Sequence, residues 1–252
     1  MQEWRAIMIC EICCGSYEDA LAAYHGGAKR VELNAALHLG GLTPTAACLR
    51  LVKRDTTLKV ICMVRPRGDG FCYTQAEKIQ MFAEAEDLLK NGSDGIAFGF
   101  LTEDGQIDIE STAQMIDLIH RYHGEAVYHR AFDCVRNPYL AIETLIDLGA
   151  DRILTSGLAN KAMQGRDMLR HLQQRYGDQI ELLAGSGINA ENVKELLAYT
   201  GISQAHSSCK GWNTDLTTTG EHVTYAFAPV PHENCYDVVS ETLVSKLVGA
   251  LQ

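Results

Sequence analysis

Eight short apolar, β-branched runs alternate with eight stretches of helical character along the 252 residues, and this alternation limits the fold more than any other feature. The runs fall at residues 7–13, 30–34, 58–64, 95–98, 125–129, 152–154, 180–183 and 203–206. Helix starts are signalled by Ser16, by Thr43 before Pro44, by Thr74 with Glu77 as a capping box, by Asn137 before Pro138, and by Asn189. The stretch 162–175 also reads as a helix, and 238–251 closes the chain as an amphipathic one. Gly27, Gly92, Gly124, Gly149, Gly177 and Gly201 mark helix ends. Strands separated by helices pair in parallel, because parallel neighbours need a long crossover. Eight such units predict a single-domain α/β fold, a (β/α)8 TIM barrel. An open doubly wound sheet fits less well, since no G-x-G-x-x-G follows the first run and Gly26-Gly27 come after the helix instead.

With 46% hydrophobic residues, the chain can bury the core that one such domain needs. A net charge of -10, with no basic run longer than a pair such as Lys53-Arg54, argues against nucleic acid and anionic membrane as partners. The apolar run at 6–10 is interrupted by Glu11 and is too short for an export signal or a membrane span. Nine cysteines at irregular spacing then read as free thiols in a reducing compartment, and the expected location is the cytoplasm.

Residues 125–133, EAVYHRAFD, carry a buried strand straight into His129, Arg130 and Asp133. In a barrel of this kind, strand ends converge on one mouth where active sites lie. Alternation along strand one puts Glu11 and Cys13 on the face opposite Cys10 and Ile12, and strand two puts Glu32 and Asn34 opposite Val31 and Leu33. An inward carboxylate is costly unless it is paired. Arg65, His129 and His206 end strands three, five and eight as partners for Glu11 and Glu32. The resulting cluster reads either as a catalytic rim or as an ion-pair plug, and Arg130 with Asp133 either as site residues or as a pair that holds a turn. The turns carrying Ser156 and Gly157, Gly185, Ser186 and Gly187, and Ser207 are candidate anion or phosphate contacts through backbone N–H groups and a helix N-terminus, or else ordinary tight turns.

Cys10 and Cys13 have C-x-x-C spacing, but on a strand that separation sends the thiols to opposite faces, so they cannot share an ion. Cys62 should face the helices as a small hydrophobe, leaving Cys13, Cys14, Cys72, Cys134 and Cys209 near the rim.

EICC at 11–14, GGAKRVEL ending at Leu33, GGLTP at 40–44, RPRG at 65–68, YHRAFD at 128–133, LTSG at 154–157, AGSGINAEN at 184–192 and HSS at 206–208 together resemble the CutC family, named for copper homeostasis. The resemblance runs to about Cys209. It implies a TIM barrel, a cytoplasmic role in copper handling, frequent homo-oligomers with a dimer favoured, and two cysteine ligands for copper. One ligand corresponds to Cys13. At the other position this chain has Asn34, and an amide is a poor substitute for a thiolate toward Cu(I). Gly68-Asp69-Gly70 also departs from the family's usual Gly-Gly-Asp.

Two readings follow. The resemblance implies a copper protein using Cys13. The residues themselves suggest an enzyme acting on a small anionic or phosphorylated metabolite, with Glu11, Glu32 and His129 as acid/base candidates and Arg65 and Arg130 as clamps. Residues 210–237 read as a long structureless loop whose Trp212, Tyr225, Phe227, Pro229 and Pro231 pack over the mouth or against a second subunit.

Overall fold

The computed structural model describes residues 8–252, so the expected strand start at Ile7 lies outside it. The strands β1 (Ile9–Cys14), β2 (Arg30–Leu33), β3 (Lys59–Met63), β4 (Gly95–Phe98), β5 (Glu125–Tyr128), β6 (Arg152–Thr155), β7 (Glu181–Ala184) and β8 (Gln204–Ser207) pair in parallel in sequence order. β1 closes the barrel on β8. The helices between them are α1 (Tyr17–His25), α2 (Ala46–Asp55), α3 (Gln75–Lys90), α4 (Ile109–Arg121), α5 (Pro138–Asp147), α6 (Arg166–Tyr176) and α7 (Val193–Thr200). α8 (Glu241–Leu251) ends the chain. No helix among the described residues is long and apolar enough to cross a membrane.

Several helix starts follow from local hydrogen bonding as expected. Ser16 accepts from the Asp19 N–H, Thr74 and Glu77 form the capping box, and Asn137 caps α5 with Pro138 in its first turn. Others begin later than their sequence signals. Thr45, not Thr43, caps α2, because the Thr43 hydroxyl is bonded to the Arg65 backbone and to Glu84. Asn189 folds its side chain onto the N–H groups of Glu191 and Asn192, which delays α7 to Val193. Residues 162–165 are turns rather than helix, since the Ala162 N–H is drawn to the Ser186 carbonyl.

The segment after β8 is not structureless. β9 (Lys210–Thr214) pairs antiparallel with β10 (Cys235–Val239), which takes Val238 and Val239 out of the expected last helix. The Val239 N–H is anchored on buried Asp19 Oδ1 at 2.7 Å. Phe227 lies with its ring centroid 4.8 Å from that of His38, on the loop after β2, whereas Tyr225 is 80% exposed. The excursion therefore touches the rim through Phe227 and, at its start, through Lys210, and none of residues 211–237 lines the mouth.

Alternation divides the strand residues. Ile12, Val31, Leu33, Val60, Cys62, Ile96, Phe98 and Ile153 face outward into the main core, where they meet Leu49, Val52, Met81, Met115, Leu145 and Leu169 from the helices. Inside the barrel the only separate apolar cluster among the described residues is Ile61, Met63, Ala97 and Val127, on the β3–β5 side. The opposite side, apart from Leu154 and Leu183, is polar. Glu11 meets Arg30 Nε at 2.7 Å and His206 Nδ1 at 2.9 Å. Arg30 also donates to Gln204 at 2.6 Å, and Arg152 joins Glu181 and Glu125 at 2.7 and 3.1 Å.

Glu11 is 1% exposed. Its burial alone would raise its pKa, but the His206 hydrogen bond and the Arg30 charge outweigh that and lower it from the ordinary 4.5 to about 2. Replacing it strands a buried guanidinium, so Glu11→Gln should lower the melting temperature near neutral pH by roughly 10 °C. The depressed pKa means this stabilisation is complete above 4.5 and is lost as pH falls towards about 2, so the difference should narrow over that window. A shift of only a degree or two in calorimetry at neutral pH would show that the network does not hold the barrel.

Candidate functional site

The strand ends converge on a cavity of about 340 Å3 at the C-terminal mouth. β1, β2 and β8 supply one wall. Register pairs Cys13 with Glu32 and Glu11 with His206, which sets a thiol, a carboxylate and an imidazole side by side. The donor atoms of Cys13, Glu32 and His206 all lie within 4.8 Å of one another. Cys13 Sγ is 3.8 Å from Glu32 Oε2, and His206 Nε2 is 3.9 Å from the same oxygen. Asn34 Nδ2 donates to Glu32 Oε2 at 3.0 Å and to Cys13 Sγ at 3.6 Å.

Electrostatics on this wall follow from burial. His206 would lose its proton to desolvation, but the Glu32 charge and its bonds to Cys13 and Glu11 raise its pKa well above the usual value. Burial also pushes up the Glu32 carboxyl and the Cys13 thiol. Because Glu11 holds the Nδ1 side of His206, the Nε2 side faces Glu32. A carboxylate that orients an imidazole so that its other nitrogen is offered to the site is the arrangement found behind metal-binding histidines.

β3 and β5 supply the other wall. Arg65 is 6% exposed, and its guanidinium donates to the carbonyls of Leu39, Gly41 and Asp69 at 3.2, 3.3 and 2.6 Å. Its charge meets no carboxylate among the described residues, and its Nε–H has no protein partner there. His129 is 3% exposed; its Nδ1 accepts the Ala131 N–H at 3.1 Å, which leaves the proton on Nε2, again without a protein partner among the described residues. Gly99 is required beside it, since a Cβ there would come within 2.7 Å of the ring. Burial, reinforced by the Arg65 charge, pushes the His129 pKa down to about 3. A buried donor without a partner costs about 1–3 kcal/mol, so both N–H groups mark positions where an acceptor is expected.

The structure separates the expected site residues into two groups. Glu32, Arg65, His129, Arg130, His206, Cys13, Ser186, Gly187 and Ser207 line the cavity. Glu11 does not; it lies beneath His206 as a buried support. Asp133 also stands back from the cavity. It accepts from Thr155 Oγ1 at 2.6 Å, from the N–H groups of Ser156 and Leu158, and from Arg130 Nε at 2.8 Å, so it holds the turn after β6. Ser156 is bound to Asp133, Gly157 packs on Gly165, and Gly185 lies against Leu154, which takes all three out of the lining. The Ser207 hydroxyl is committed to the Ile188 carbonyl at 2.6 Å. α7 begins six residues beyond Gly187, so its N-terminus is not part of this turn.

Lys161, Lys210 and Phe71 also line the cavity and were not singled out as site residues by sequence. Lys161 lies in the turn that resembles the start of a helix, and Lys210 begins the unexpected hairpin. Both add positive charge to a cavity whose lining contains one carboxylate, Glu32.

The neutral state of His129 is directly testable. Nitrogen shifts of the labelled imidazole should show the Nε2–H form with no titration between about pH 5 and 8; a midpoint inside that range would contradict the geometry.

The whole chain can be set against known proteins. The CutC family model matches residues 8–211. A CutC family protein from Treponema denticola is 39% identical over 242 residues, covering 96% of this chain and 98% of that protein. The copper homeostasis protein cutC homolog of Homo sapiens is 37% identical over 200 residues, covering 79% of this chain and 72% of the human one. A solved structure of CutC from Streptococcus agalactiae superposes with a TM-score of 0.75 at 28% identity, over 80% of this chain and 98% of that one. The barrel, the ordered strand-end motifs and these matches agree, and the chain belongs to the CutC family.

Proposed function

We propose that this protein takes part in copper handling by holding Cu(I) as cargo between Cys13 and His206 at the barrel mouth, within the cytoplasm. The observation that carries the reading is the meeting of a half-buried thiol, an oriented imidazole and a carboxylate within 4.8 Å on one cavity wall. Thiolate and imidazole are both ligands that copper accepts, and a two-coordinate sulfur–nitrogen pair suits the soft monovalent ion better than the hard oxygen of Glu32 does. The names of relatives such as the human and mouse copper homeostasis homologues support the same reading. The free state of all nine cysteines is what a reducing compartment maintains.

Asn34 changes what such a site can achieve. It stands where the family resemblance places a second thiol, and its amide hydrogen-bonds to the sulfur of Cys13 instead of adding a ligand. The site then has one sulfur rather than two, which favours a weaker and more exchangeable hold on the ion. Cys13 and His206 both retain protons in the metal-free protein, so loading releases protons and strengthens as pH rises.

Competition against a colorimetric Cu(I) chelator under anaerobic conditions tests the reading. Cys13→Ser should abolish competition, and Asn34→Cys should strengthen it by ~tenfold or more, the scale of one added soft ligand. Unchanged competition by Cys13→Ser would place copper elsewhere.

A further inference from the structure

We propose that the wall opposite the thiol is a binding subsite for the carboxylate of a small metabolite, held by Arg65 and His129. This site is independent of the copper reading, because it uses different strands and no metal-ligating group. Two buried side chains, 6% and 3% exposed, line the same cavity, and each has an N–H without a protein partner among the described residues. Phe71 ties them together: the Arg65 guanidinium lies 5.1 Å from its ring centroid and the His129 ring centroid 5.1 Å from it. Three backbone carbonyls accept from the guanidinium, so its orientation is set before a ligand arrives.

The donor chemistry selects the ligand. Arg65 brings one positive charge that no carboxylate among the described residues neutralises, whereas His129, with its Nδ1 already accepting from the Ala131 N–H, brings a neutral Nε2–H. One charge and two donors on a flat aromatic neighbour match a planar, singly charged group with two acceptor oxygens. A phosphate dianion offers more oxygens than these two donors serve. The cavity, at about 340 Å3, holds a metabolite of a few carbons. In this arrangement His129 acts as a hydrogen-bond donor and not as an acid or base.

The test uses the full-length, copper-free protein with its histidines labelled, titrated with pyruvate and, separately, with inorganic phosphate. Pyruvate should move the His129 Nε2 resonance saturably and more tightly than phosphate does. By calorimetry, Arg65→Met and His129→Phe should each weaken pyruvate binding by ~tenfold or more, the scale of losing a charge-assisted or buried hydrogen bond. His129→Gln, which keeps a side-chain N–H, should recover much of the loss, and it remains informative if Arg65→Met fails to fold. Absence of saturable binding, equal or tighter binding of phosphate, or full affinity in His129→Phe would each overturn the proposal.

Discussion

Glu11 is the point on which the interior depends. A carboxylate inside a barrel survives only if opposite charge reaches it, and here Arg30 arrives from the next strand and His206 from the strand that closes the barrel. One residue thereby links the polar layer near the strand starts to the chemical layer at their ends. Orientation of His206, and with it the direction in which Nε2 points, follows from that link. The apolar cluster on the β3–β5 side, with Leu154 and Leu183 on β6 and β7, packs the rest of the interior below the mouth.

The two walls of the cavity have opposite characters for a physical reason. On the Cys13 wall, groups with raised pKa values share protons around Glu32, which suits exchange of those protons for a cation. On the Arg65 wall, a buried guanidinium and a neutral imidazole present N–H groups and offer nothing to a cation. Lys161, Lys210 and Arg130 extend the positive field around the entrance. The two proposed sites thus draw on different atoms of one cavity.

Much of this was legible in the sequence because it rests on period. Two-residue alternation already sends Glu11 and Cys13 away from Ile12, and Glu32 away from Val31, and the barrel keeps those faces. What alternation cannot distinguish is depth along the strand. Glu11 and Glu32 share a face, yet only Glu32 reaches the lining, because Glu11 pairs in register with Arg30 one layer lower. Asp133 is another case: a titratable group at a strand end looks functional until its four turn contacts are seen. Helix starts at Asn189 and Ala162 misled because a side-chain or loop hydrogen bond, invisible to local propensity, took the backbone first. The hairpin of β9 and β10 escaped because β9 is mostly polar and the two strands lie some twenty residues apart, with no short turn to announce a pair.

The central claim is that copper, when bound, sits on one sulfur and one imidazole nitrogen at the mouth of this barrel. X-ray absorption of the Cu(I)-loaded protein measures that ligand set directly. The account predicts a low-coordinate site with a single sulfur scatterer and an imidazole signature, both lost in Cys13→Ser. A site with two or more sulfur scatterers, or one whose sulfur persists in that variant, would contradict it.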